Sequence, residues 1–179
     1  YRNFEMVQQN DPKQFESYQE GISKVEKFLK INVKETFVSW IGDEIAVLQI
    51  QSHIAQGKND MALVLKVNDV ENAKTNLDFV VEQIRKKTPV KFKAVDYKGY
   101  EINFLSIKGF SKILLGGRFN EFDKPYFTQI EDYVIFSDSP NTLKGMIDNV
   151  VDGETLATSE DFKQFEAKFE SESTVFVYS

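Results

Sequence analysis

The sequence predicts an α+β fold, an antiparallel β-sheet with amphipathic helices packed on one face. Three observations predict it. Short apolar, strand-like runs come in pairs separated by two-residue turns, Lys98-Gly99 and Glu131-Asp132. Stretches with apolar residues at alternating spacings of three and four lie between them, each opened by a capping residue. The chain has 179 residues, 41% hydrophobic and 28% charged, an ordinary globular composition. A domain of that length buries roughly 70% of its unfolded surface and needs no covalent staple.

The elements follow in order. Residues 1–10 are polar and aperiodic. Asp11-Pro12-Lys13-Gln14 then reads as a helix start, with Asp as N-cap, Pro in the first turn and Gln three residues past the cap. Phe15, Tyr18, Ile22, Val25 and Leu29 form one stripe on a helix of about 18 residues. Phe37, Trp40 and Ile41 keep helix-like spacing, and Gly42-Asp43 breaks the pattern before an apolar run at 45–50, expected as a strand covered on both faces. After a polar loop at 52–60 comes a second strand at 62–67. Asn68 is then expected to cap a helix, with Glu71 closing a capping box and Val70, Ala73, Leu77, Val80, Val81 and Ile84 inward. Pro89 ends that helix.

Residues 92–97 and 100–107 form a hairpin around Lys98-Gly99, and 112–119 reads as a strand with a bulge at Gly116-Gly117. A second hairpin pairs 126–130 with 133–137. Ser139-Pro140 opens a helix with Leu143, Met146, Ile147 and Val150 inward. Thr158 or Ser159 caps a last helix bearing Phe162, Phe165 and Phe169, and 174–178 is a final strand. The segments 63–77 and 134–147 can be aligned as strand, polar cap and helix, each preceded by another strand. Either an internal strand-strand-helix duplication or the ordinary recurrence of such units in α+β proteins accounts for this. The organisation is one domain, 1–179, or a module of a longer protein, with 1–35 an N-terminal segment and helix and 36–179 the main body.

Composition excludes several chemistries. The absence of cysteine removes disulfides, thiolate metal sites and cysteine nucleophiles. His53 is the single histidine, so a multi-histidine metal cluster is ruled out. A charge of −6 argues against a nucleic-acid partner. Ser52, His53 and Asp60 invite a triad, but such residues converge from separate elements, and a solvated histidine is the ordinary reading. No cofactor fingerprint is present, so no cofactor or metal is expected.

Two clusters stand as candidate sites. Phe119, Phe122, Tyr126 and Phe127 surround a Pro125 loop. Exposed, they would form a ledge for a protein, peptide or glycan partner; buried, they plug one end of the core. Trp40, Asp43 and Glu44 could line a carboxylate and aromatic cleft. Arg85, Lys86, Lys87, Lys91, Lys93 and Lys98 make a modest basic patch, for lipid headgroups or simply a solvated helix end.

Several segments carry a family resemblance: Trp40-Ile41-Gly42-Asp43-Glu44, the run 61–67 into Asn68-Asp69, Tyr97-Lys98-Gly99-Tyr100-Glu101-Ile102, Tyr133-Val134-Ile135-Phe136-Ser137, and Ser159-Glu160-Asp161-Phe162 through Val175. By these the chain from Phe37 to Ser179 resembles a bacterial family known as domain of unknown function 3352. The resemblance implies an extracytoplasmic lipoprotein-like protein, longer than this chain, whose N-terminal signal or lipid anchor would be its only link to the membrane. It implies no catalytic residue. The expectation is therefore a non-catalytic binding or scaffold module of the cell envelope, with a small-ligand binder or hydrolase using the Trp40–Asp43 cleft as the alternative.

Overall fold

In the computed structural model, residues 12–50, 60–89, 93–110 and 122–167 are described. The expected strands at 112–119 and 174–178, His53, Phe119, Lys91 and the Gly116-Gly117 pair lie outside them. Helix α1 spans Pro12–Leu29 and is followed by a π-helical turn, Lys34–Val38. Strand β1 runs Ile41–Gln49 and β2 Met61–Val67, α2 spans Val70–Lys87, and β3 (Val95–Tyr97) pairs with β4 (Tyr100–Phe104). Strands β5 (Tyr126–Ile130) and β6 (Tyr133–Ser137) lead into α3 (Pro140–Asp152). A 3-10 turn, Leu156–Thr158, precedes α4 (Glu160–Glu166). The six strands form one antiparallel sheet in the order β1-β2-β6-β5-β4-β3.

The α+β class and the antiparallel sheet are as the sequence predicts, but the helices are not confined to one face. Alternation along the two central strands decides this. Leu63, Leu65 and Val67 of β2, with Val134 and Phe136 of β6, pack against Leu77, Val80 and Ile84 of α2, and Leu29 of α1 joins that cluster. Ala62 and Ile135 point the other way, into a second cluster with Leu143 and Ile147 of α3. The central strands are apolar on both sides because both sides are covered.

The same parity bears on the repeat. A two-fold axis carrying β2 onto its antiparallel neighbour β6 preserves the faces of the sheet, and would put α2 and α3 on one side. They lie on opposite sides, so that axis relates the strand pairs β1–β2 and β5–β6 but not the helices that follow them.

Two local expectations are corrected. The strand expected at 45–50 starts at Ile41 and lies at the sheet edge, largely exposed instead of covered on both faces. Gly42-Asp43 does not break it: the register moves from Ile41↔Val67 to Ile45↔Leu65, so Gly42, Asp43 and Glu44 are accommodated in an irregular bulge. The cap of α2 is Asp69, which accepts from the Asn72 backbone N–H at 3.0 Å. Asn68 instead donates its side-chain amide to the Ile41 carbonyl at 3.0 Å, fastening the start of β1. The Ser139 cap of α3 is as expected, and α3 ends at Gly153, whose φ of 75° suits a residue without Cβ. Lys98 and Gly99 both have positive φ, which gives the β3–β4 hairpin the twist its strands need.

That hairpin is tied to α3. Tyr97 Oη lies 3.1 Å from both Asp148 carboxylate oxygens, and Lys98 Nζ is 2.6 Å from Asp148 Oδ1 and 3.9 Å from Asp152. The Lys98 hydrogen bond, followed by that of Tyr97, holds the Asp148 carboxyl below its usual value of 3.8. A depressed carboxylate contributes stability that is complete above the unfolded value and lost as pH falls through the folded one. Asp148→Asn should therefore lower the melting temperature at neutral pH, with the gap to wild type closing in acid. Thermal unfolding across the carboxylate range checks this, and a gap that stays constant with pH would refute it.

Candidate functional site

The bulge of β1 separates the residues expected to share a cleft. Trp40 is 0% exposed and its indole Nε1 donates to the Thr36 carbonyl at 2.7 Å. Asp43 and Glu44 project outward, where Glu44 pairs with Lys66 and accepts from Tyr133 Oη at 3.5 Å. A hydrogen bond and the charge of Glu44 raise the Lys66 pKa, while burial chiefly raises that of Tyr133. A ring turned into the core and carboxylates turned into solvent cannot line one cavity, so the Trp40–Asp43–Glu44 cleft is not formed.

The aromatic ledge is likewise absent from its described members. Phe122 and Phe127 are buried in the cluster beneath α2, with Phe127 5.9 Å from Phe136. Tyr126 faces the other side of the sheet, half-buried and 4.8 Å from the Phe104 ring. The physical reason is alternation: in β5, adjacent rings must leave by opposite faces. The basic patch also disperses. Lys98 serves Asp148 on the α3 side, Lys86 pairs with Glu82 at 2.8 Å, and Lys87 donates to the Phe28 carbonyl.

Two features were not anticipated. The first is the edge of β1. Edge strands are commonly protected by charge, proline or a bulge. Here the bulge and its two acids protect only the first half. Ile45 and Val47, at 53% and 40% exposure, lie on one face of the second half, and no described strand pairs with the outer edge.

The second is a shallow groove of about 430 Å³ between α2 and β4. Asp78, Val81, Glu82, Arg85 and Lys86 line it from the helix at spacings that share one face, and Glu101 and Asn103, two apart on β4, line it from the sheet. Asn103 is 5% exposed, and its side-chain amide hydrogen-bonds to no described residue. That amide is not sealed, so water in the groove reaches it and it carries no burial penalty. Thr128 Oγ1 is also unpartnered among the described residues, but it is sealed from any ligand, whereas Asn103 opens into the groove. The sequence signal for Asn103 was a polar residue inside a strand run.

Among the described residues, no group of three or more His, Asp or Glu could hold a metal ion, and no helix is long and apolar enough to cross a membrane. Fold and geometry together define, among the described residues, a six-stranded antiparallel sheet of an α+β fold, with no described strand beyond β1 and a groove between α2 and β4. The chain belongs to the family described as Protein of unknown function (DUF3352), whose model matches residues 29–179. No curated protein and no solved structure matches it.

Proposed function

We propose that this chain is a non-catalytic binding or scaffold module of the bacterial cell envelope, acting through the open edge of β1. The observation that carries the reading is the uncharged run 45–48, exposed at 45–47, at the end of the sheet. The backbone groups on its outer edge, which pair with no described strand, can add a strand, and alternate side chains give that addition specificity. The occupant is an extended segment of a partner protein, with apolar residues facing Ile45 and Val47. The envelope setting is part of this proposal and rests on the extracytoplasmic placement that the family resemblance implies.

Val47→Lys puts a charge on this edge. Because Val47 is already part-exposed, it should change stability by no more than about 0.5 kcal/mol. The test is capture from envelope extracts with the full-length protein. A partner retained by wild type and by the control Phe79→Ser, on the outer side of α2, should be lost with Val47→Lys. Equal capture by all three would sink the reading.

A further inference from the structure

We infer that the α2–β4 groove binds a small zwitterionic ligand, a dipeptide or a molecule of like chemistry. The inference is independent of the β1 edge, because β4 lies near the other end of the sheet.

The lining sorts its charges before any ligand arrives. Asp78 is held by Lys74 at 2.7 Å and Glu82 by Lys86 at 2.8 Å, both one helical turn apart. Arg85 and Glu101 make no ion pair with a described residue. The groove thus presents the Arg85 guanidinium, whose charge also acts on Glu82, the Glu101 carboxylate, whose charge also acts on Lys74, and the Asn103 amide, none of them in an ion pair or side-chain hydrogen bond with a described residue. A guanidinium takes a carboxylate through two parallel hydrogen bonds. A carboxylate takes an ammonium, and a primary amide both donates to and accepts from a peptide group. A zwitterionic dipeptide supplies all three, and Val81 adds an apolar wall for a small side chain. An ordinary strand residue at 103 would fill the position without an unpaired amide; asparagine leaves a donor and an acceptor for an incoming group.

The probe is L-alanyl-L-alanine, titrated to about 10 mM while amide and side-chain NMR signals are followed. Saturable shifts at the Asn103 side-chain amide and Arg85 Nε–H are expected. Asn103→Val and Arg85→Gln, each checked for folding by its own spectrum, should weaken binding at least about tenfold. Sodium acetate and methylammonium chloride alone should produce no saturable shift. No saturation with the dipeptide, equal affinity in both variants, or the same response to acetate would overturn the assignment.

Discussion

Replacing Trp40 with alanine should lower the unfolding free energy by about 3–5 kcal/mol, the range for large aromatic truncations in a sealed core. The ring is wholly buried in the cluster that also holds Phe37, Leu65 and Val67, where the π-helical turn hands the chain to β1. Its loss removes apolar contact and also orphans the Thr36 carbonyl, which receives the indole N–H. Trp40→Phe separates the two effects: most of the ring area returns while the carbonyl stays unpaired, and a loss of about 1–3 kcal/mol is expected. At roughly 2–4 °C per kcal/mol for a chain of this size, the alanine variant should melt on the order of 10 °C lower. Urea unfolding must be followed by far-ultraviolet circular dichroism, because Trp40 is the single tryptophan. A loss below about 1 kcal/mol would show that the site is not sealed, and would restore Trp40 as a cleft residue.

That outcome bears on what the residues alone reveal. Local pattern was legible wherever a single physical cause dominated. The span of α1, the bounds of β5 and β6, and the Ser139 cap all follow from periodicity, turn chemistry and side-chain capping. Burial was harder to read. The run 45–48 has the composition of an interior strand, yet β1 sits at the edge. Composition reports what a strand could bury, whereas position in the sheet is fixed by pairings distant in sequence, such as Val64 with Ile135. The Asn68–Glu71 box fitted the capping pattern as well as Asp69 and Asn72 do, and tertiary context chose between them: Asn68 was needed at the Ile41 carbonyl.

The candidate sites failed or emerged for the same reason. Trp40, Asp43 and Glu44 are near one another in sequence, but a bulge turns the ring and the acids apart. Phe122, Tyr126 and Phe127 cluster in sequence and divide between two faces. The groove shows the converse. Arg85 and Asn103 lie 18 positions apart on different elements, and only the packing of α2 over β4 places them together. The residue that could have flagged it is Asn103, a polar side chain in an apolar strand on the same face as Glu101. Sequence reasoning had no way of knowing that α2 would cover that face without covering it completely.

Phe136→Ala should rival the Trp40 variant, at about 3–5 kcal/mol, because of where the ring lies. Phe136 is fully buried on β6, between strands β2 and β5. Its centroid is 4.7 Å from Phe110 and 5.9 Å from Phe127, and Phe110 meets Phe37 edge-on at 5.6 Å. This row of rings joins the π-helical turn, the segment after β4 and the two strands of a hairpin. A double-mutant cycle distinguishes a coupled row from separate contacts. With the milder Phe136→Leu and Phe110→Leu, which leave enough stability to measure, the two losses should deviate from additivity by about 0.5–1.5 kcal/mol. Phe136→Leu combined with Ile147→Val should add within about 0.5 kcal/mol, because Ile147 belongs to the cluster on the opposite face. Strong coupling in the second pair would mean that the sheet transmits strain between its faces. Additivity in the first would mean that the rings are neighbours without mutual stabilisation, and that the α2 face is held by burial alone.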